Sequence, residues 1–268
     1  MSPVSPHASS ELSAPVRGST HTLLVDTFNL IRRIYAANPD AEGDIQAVIE
    51  SSRRSLARSL AAHRPTHAIS ILDSHEITWR HQLAPTYKAN RAPPPAVLMA
   101  NLGEFQRVFK ALGVASLVVP HFEADDVIAT LARGIAASGG QVTILSTDKG
   151  FLPLLSKGIN IYHHFDHHVI TAAEAIAKFD VRLEQLSDYW AMAGDPTNNI
   201  KGVPRVGKKT AAALLKTYGS LDAILQADAT DTAMARVQAQ APQALMCREL
   251  VTLRIDVEIG ANLKTFRL

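Results

Sequence analysis

Three acidic side chains, Glu123, Asp125 and Asp126, open what reads as a helix, and a short apolar run over 142–145 ends on Ser146-Thr147-Asp148. Asp26 closes Leu23-Leu24-Val25, and Asp73 closes the apolar run over 68–72. Carboxylates brought together repel one another and stay ionised when a hard cation sits among them. Strand ends are also where open α/β sheets place their ligands. The pattern predicts a shared acidic crevice that holds magnesium or manganese. Taken singly, Glu123, Asp125 and Asp126 would serve equally well as helix-start residues that favour the dipole. Three strands that each end in Asp argue for the crevice.

The elements that must position these acids alternate. Strands are expected at 22–26, 67–73, 116–119, 142–146 and 160–163, with helices near 44–62, 96–112, 124–137 and 151–155. This is the signature of an α/β fold with a mainly parallel central sheet and helices on both faces. From Thr171, which opens a capping box with Glu174, the pattern turns helical, with helices expected at 182–193, 207–218, 221–226 and 242–253. Residues 1–20, rich in Ser, Pro and Ala, read as a disordered tail; 21–180 read as the α/β core and 181–268 as a helical region. The segment 74–95 fits neither period and is long for a connection, so it reads as a functional loop or arch stiffened by Pro93-Pro94-Pro95.

A formal charge of +2, from 27 Lys and Arg against 25 Asp and Glu, does not suggest nucleic acid, but its distribution does. Arg80, Lys88 and Arg91 stand in an acid-free stretch over 77–103, and Lys201, Arg205, Lys208, Lys209 and Lys216 in another over 196–221. Acids for metal and bases for phosphate thus occupy separate segments, as phosphodiester cleavage requires. The turn Gly202-Val-Pro-Arg-Val-Gly207-Lys208-Lys209-Thr210 sits between two helices, where glycines admit a phosphate close to free helix-start N–H groups. Such a hairpin holds backbone and reads no bases. No run is long enough to span a membrane, the start lacks a signal-peptide centre, and the single Cys247 suits a reducing compartment. A cytoplasmic, nucleoid-associated monomer is expected. His163, His164, His167 and His168, around Asp166, read as a solvent-facing hairpin tip and not a metal site.

Asp26, Asp73, Trp79-Arg80-His81, Tyr87-Lys88-Ala-Asn-Arg91, Glu123-Ala-Asp125-Asp126, Ser146-Thr-Asp148-Lys149, Gly194-Asp195 and the 202–211 hairpin together resemble the 5′ to 3′ exonuclease and flap endonuclease family, most nearly its short stand-alone bacterial members. The resemblance implies a PIN-like nuclease core, an arch and a helix-hairpin-helix. It implies a first metal site at Asp26, Asp73, Glu123, Asp125 and Asp126, and a second at Asp148 and Asp195 with Asp126 near both. Asp125 is then the central catalytic acid, and Lys88 and Arg91 hold the scissile phosphate. Arg80, Tyr87, Lys88, Arg91, Gly202, Arg205, Val206, Gly207, Lys208, Lys209 and Thr210 become DNA contacts, with Tyr87 and Trp79 weighed as base-stacking aromatics and a buried role preferred for Trp79. The resemblance further implies a potassium ion held by the carbonyls of Met192, Ala193, Lys201, Val203 and Val206.

Two departures bear on the second metal. Gly150 stands where polymerase-associated relatives carry Asp, and Asn198 stands where they carry another, so one tight and one weak divalent ion are expected, with ligand-restoring substitutions raising the rate. The expected activity is metal-dependent cleavage of DNA at 5′ flaps or single/double-strand junctions. The alternatives are a junction-binding protein with little catalysis, an RNA-cleaving enzyme and a small-molecule phosphotransferase.

Overall fold

The computed structural model describes residues 20–38 and 40–268. The tail expected over 1–20 lies outside them except for Thr20. Strands β1 (His21–Asp26), β2 (His67–Ile71), β3 (Ala115–Leu117), β4 (Gln141–Leu145), β5 (Ile159–His163) and β6 (His168–Ile170) form one sheet in the order β3-β2-β1-β4-β5-β6. All neighbours run parallel except the edge pair β5–β6. The helices are, in chain order, α1 (Thr27–Ala37), α2 (Ile45–His63), α3 (Trp79–Leu83), α4 (Ala96–Ala100), α5 (Leu102–Lys110), α6 (Ala124–Ala137), α7 (Ala172–Phe179), α8 (Leu186–Ala193), α9 (Lys208–Tyr218), α10 (Leu221–Gln226), α11 (Thr232–Ala239) and α12 (Ala241–Val251).

Adjacent strand residues point to opposite faces, and here both faces are covered, so the inner strands are apolar throughout. Leu23 and Val25 belong to a core with Leu30 of α1, Val48 and Leu56 of α2, and Phe105 and Phe109 of α5. Leu24, Ile69 and Ile144 belong to the opposite core with Val127 and Ile128 of α6, and that core continues through Trp190, Leu215 and Leu250 of the C-terminal helices. One apolar body thus ties the acidic helix start to the hairpin region.

Several elements differ from the sequence reading. Helix α1 is an addition, hidden because it follows β1 without a turn: Asp26 ends the strand and caps the helix through the Asn29 amide at 3.3 Å. The helix expected over 96–112 breaks at Asn101, and α3 and α11 are additional. The Thr171–Glu174 capping box forms as expected. His167 and His168 are exposed at the β5–β6 turn, but His164 is only 3% exposed, which corrects its solvent-facing reading; burial pushes its imidazole down to about 3. Among the described residues no helix is long and apolar enough to cross a membrane.

Candidate active site

Chain connections leave β1 for β2 on one side, while β4 joins β1 on the other, and this reversal opens a crevice at the strands' C-terminal ends. Asp26 ends β1, Asp73 follows β2, and Asp148 follows β4. The N-terminus of α6 sits against them, its Ala124 amide donating to Asp73 Oδ1 at 2.8 Å. Ser146 Oγ donates to Asp26 Oδ2 at 2.7 Å and accepts from the Asp148 amide at 3.0 Å, joining the β1 and β4 ends.

Burial pushes Asp26 up to about 7, the carboxylates of Asp73 and Asp148 adding to the push while the Ser146 hydroxyl opposes it. Burial likewise drives Asp125 well above the ordinary carboxylate range; Lys88 opposes this, and Asp148, Asp26 and Glu123 add to it. Among the described residues no three His, Cys, Asp or Glu side chains already stand at metal-ligand spacing. Asp26, Asp125 and Asp148 form a donor set of hard oxygens whose mutual repulsion a divalent cation relieves, and they fit such an ion.

Glu123 and Asp126 have other partners. Arg80 is 1% exposed; its NH1 and NH2 donate to both Asp126 oxygens at 2.7 Å each, and NH1 also donates to Glu123 Oε2 at 3.0 Å. Its remaining N–H groups reach the carbonyls of Leu250, in the last turn of α12, at 2.8 Å and of Thr252, just past it, at 3.2 Å. Asp126 also accepts from Trp79 Nε1 and the Arg254 amide, both at 2.9 Å, so its oxygens are taken and it faces away from the crevice acids. Asp126 and Arg80, expected as a metal ligand and a DNA contact, form a buried ion pair here. Trp79 lies between the Arg80 and Arg254 guanidiniums, 4.3 and 4.4 Å from its ring centre. Tyr87 is 5% exposed and donates its hydroxyl to Glu123 at 3.1 Å, which removes it as a stacking platform. The segment 74–95 thus carries a helical turn, α3, and is pinned through the buried side chains of Thr78, Arg80 and Tyr87, while much of the rest is exposed.

Lys88 stays at the crevice. Its Nζ donates to Glu123 Oε1 at 2.6 Å, and its backbone adopts the left-handed region at φ 56°, held by its amide's bond to the Asn198 carbonyl at 3.0 Å. Burial opposes the charge, but the Glu123 carboxylate outweighs it and keeps the ammonium above its ordinary range. Although burial raises Glu123, Lys88 and Arg80 together hold it below the usual carboxylate value.

Asp195 is not an open ligand. Lys149 Nζ donates to its Oδ1 at 2.6 Å and Asn198 Nδ2 to its Oδ2 at 2.7 Å. Asn198 Oδ1 in turn accepts from Arg91 NH2 at 2.6 Å. Asn198, expected as a weakened metal ligand, here joins a carboxylate to a guanidinium through its amide, which an Asp there could not do. Asn90 and Asn199 add bonds between the arch base and the 195–199 turn, at 2.8 Å to the Pro196 carbonyl and 2.7 Å to the Thr86 carbonyl. What the sequence reading did not anticipate is that Lys149 and Asn198 hold the two oxygens of Asp195; no local pattern marks either pairing.

The hairpin closes by backbone contact. A Cβ on Gly202, at φ 68°, would strike the Gly194 amide and the Met192 carbonyl, and one on Gly194, at φ 82°, would lie 2.8 Å from the Ile200 carbonyl. The Met192 carbonyl, at the end of α8, accepts from the Val203 amide at 2.8 Å, and Val203 accepts from Val206 at 3.0 Å. Val206 is buried and its amide spent, so a duplex can reach it only through its carbonyl; Arg205, Gly207, Lys208 and Lys209 are exposed and Thr210 is partly so. Helix α9 has no side-chain N-cap, leaving its first amides free.

Residues 21–180 match the 5′-3′ exonuclease N-terminal resolvase-like domain and residues 181–268 the 5′-3′ exonuclease C-terminal SAM fold. The chain belongs to the 5′-3′ exonuclease family. Curated relatives include the flap endonuclease Xni of Psychromonas ingrahamii, 39% identical over 91% of this chain and 96% of that one. The flap endonuclease Xni of Colwellia psychrerythraea is 41% identical over 93% of this chain and 92% of that one. Among solved structures the fold is shared with a T5 5′-exonuclease mutant, at a TM-score of 0.71 and 18% identity over 87% of each chain. It is also shared with a T5 5′-exonuclease carrying divalent zinc, at 0.68 and 21% over 86% of this chain and 89% of that one.

Proposed function

We propose that this member of the 5′-3′ exonuclease family is a divalent-metal-dependent DNA nuclease that cuts at 5′ flaps and single/double-strand junctions. The observation that carries the reading is the crevice at the β1–β4 switch point, where Asp125 feels the charges of Asp26, Asp148 and Lys88. The names of its relatives as flap endonucleases supply the substrate class.

In this reading Asp26, Asp125 and Asp148 hold magnesium or manganese, with Asp73 and Glu123 around them. When bound, the ion supplies a water of lowered pKa and offsets charge on the phosphate. Lys88, kept protonated by Glu123, and the exposed Arg91 hold the scissile phosphate, and Lys149 neutralises Asp195 where a second ion would need it free. Arg205, Lys208, Lys209 and the free amides of Gly207 and α9 grip the duplex backbone, which places cleavage near a junction without sequence preference. In this reading the carbonyls of Met192, Ala193, Lys201, Val203 and Val206 hold a potassium ion at that grip; those of Met192 and Val203 each accept one backbone bond and keep a second lone pair for it.

The test is a 5′-flap DNA assayed with magnesium, manganese or chelator, using the native protein and Asp125→Ala. Cleavage that needs a divalent ion and is lost in Asp125→Ala, with DNA affinity nearly unchanged, is the expected result. An unchanged rate in the variant overturns the site, and tight binding without cleavage under any ion leaves a junction-binding protein.

A further inference from the structure

Asn198 touches both cations assigned above to the scissile phosphate. Its backbone carbonyl accepts from the Lys88 amide at 3.0 Å, and its side-chain oxygen accepts from Arg91 NH2 at 2.6 Å. The turn that carries it is fastened to the arch base by Asn90 and Asn199, whose amides donate to the Pro196 and Thr86 carbonyls. Asn199 sits at φ 57°, in the left-handed region that asparagine takes with less strain than most residues.

The orientation of the Asn198 amide is decided from its other side. Its Nδ2 donates to Asp195 Oδ2 at 2.7 Å, and Asp195, 4% exposed, is itself held by Lys149 at 2.6 Å. An ionised carboxylate can only accept, so the amide nitrogen faces Asp195 and the amide oxygen faces Arg91. Arg91 also gives its Nε to the Thr197 carbonyl at 3.2 Å, and among the described residues no carboxylate pairs with it. Lys88, in contrast, is paired with Glu123 at 2.6 Å. Neutral acceptors fix where a guanidinium stands without cancelling its charge, whereas a carboxylate in their place would form the two-pronged ion pair that arginine favours.

We propose that Asn198 is a positioning residue: it holds Arg91 beside Lys88 with the guanidinium charge uncompensated, so that a DNA phosphate and not a carboxylate of the protein completes it. This role rests on the nuclease reading above and deepens it. Asp at the same position would neutralise the guanidinium and also repel Asp195.

The experiment measures affinity for a 5′-flap DNA in chelator over a series of salt concentrations, and kcat with magnesium. The proteins are the native chain, Arg91→Ala, Asn198→Asp, Asn198→Ala, and each Asn198 variant combined with Arg91→Ala. Asn198→Asp should weaken binding by about fivefold, the upper end for one exposed ion contact, and lower the salt slope by about one, as Arg91→Ala does. Asn198→Ala keeps the charge but loses its mount, so the slope should stay while kcat falls by about tenfold. Neither change at 198 should add to the effect of Arg91→Ala. Asn199→Ala, which loosens the same turn without touching either cation, should change kcat little. Effects of the Asn198 variants that persist undiminished beside Arg91→Ala, or an equal loss of kcat in Asn199→Ala, overturn the positioning role, because Asn198 would then act on DNA by itself or only brace the turn. Absence of flap cleavage by the native protein would instead overturn the nuclease reading, and the salt slopes in chelator would still test the link between Asn198 and Arg91.

Discussion

Arg80→Met should be among the most damaging single substitutions outside the crevice acids. Arg80 makes five hydrogen bonds, at 2.7 Å to each Asp126 oxygen, 3.0 Å to Glu123, 2.8 Å to the Leu250 carbonyl and 3.2 Å to the Thr252 carbonyl. Methionine refills the volume but leaves Asp126, at 0% exposure, without a counter-charge. Removing one partner of a buried pair costs about 3–5 kcal/mol. Glu123 keeps Lys88 and Tyr87, and Asp126 keeps the Trp79 and Arg254 N–H groups, so the loss should fall inside that range and not at the sum of five bonds. Against a total stability of about 5–15 kcal/mol, a loss of that size is readily measured by urea unfolding at neutral pH. Arg80→Lys should lose roughly half as much, because an ammonium keeps the charge but not the two-pronged fork. Adding Asp126→Asn to Arg80→Met should recover about 1–2 kcal/mol, since much of the penalty is the orphaned charge. A loss under about 1 kcal/mol in Arg80→Met, or no recovery in the double variant, would refute the view that this ion pair anchors the arch to α6 and the C-terminal segment.

Asp26 has a folded pKa of about 7, above its unfolded value, so the folded state binds the extra proton between about pH 4 and 7 and metal-free stability should fall across that window as pH rises, then level off. Asp26→Asn should abolish most of that fall, and added magnesium should stabilise the native protein most above pH 7; a flat profile in chelator would count against the cluster. Gly150→Asp with Asn198→Asp should not speed cleavage at low magnesium while Lys149 occupies Asp195, and adding Lys149→Ala should be needed before the rate rises; acceleration in the double variant alone would return Asp195 to the ligands. Duplex affinity should be higher in potassium than in lithium at equal ionic strength, and equal affinities would remove the ion from the hairpin.

Much of the fold was legible because its signals are local. Apolar runs of strand length each followed by Asp, the capping box at Thr171, and the glycine-spaced basic turn at 202–210 all state their geometry within a few residues. The acids Asp26, Asp73, Asp125 and Asp148 stand at strand ends and a helix start, as expected, for the same reason. Tertiary structure decided which charges face the crevice. Asp125 and Asp126 are sequence neighbours at a helix start, yet about 100° apart around its axis, so one points to the acids and the other to Arg80. Nothing within a few residues reveals that Arg80 is buried 46 positions away from its partner, or that Asn198 joins Asp195 to Arg91 across 107. Composition and spacing set out the chemistry available to the chain. Which carboxylates stay free for a cation depends on which basic side chains reach them first, and that is determined only when distant segments pack.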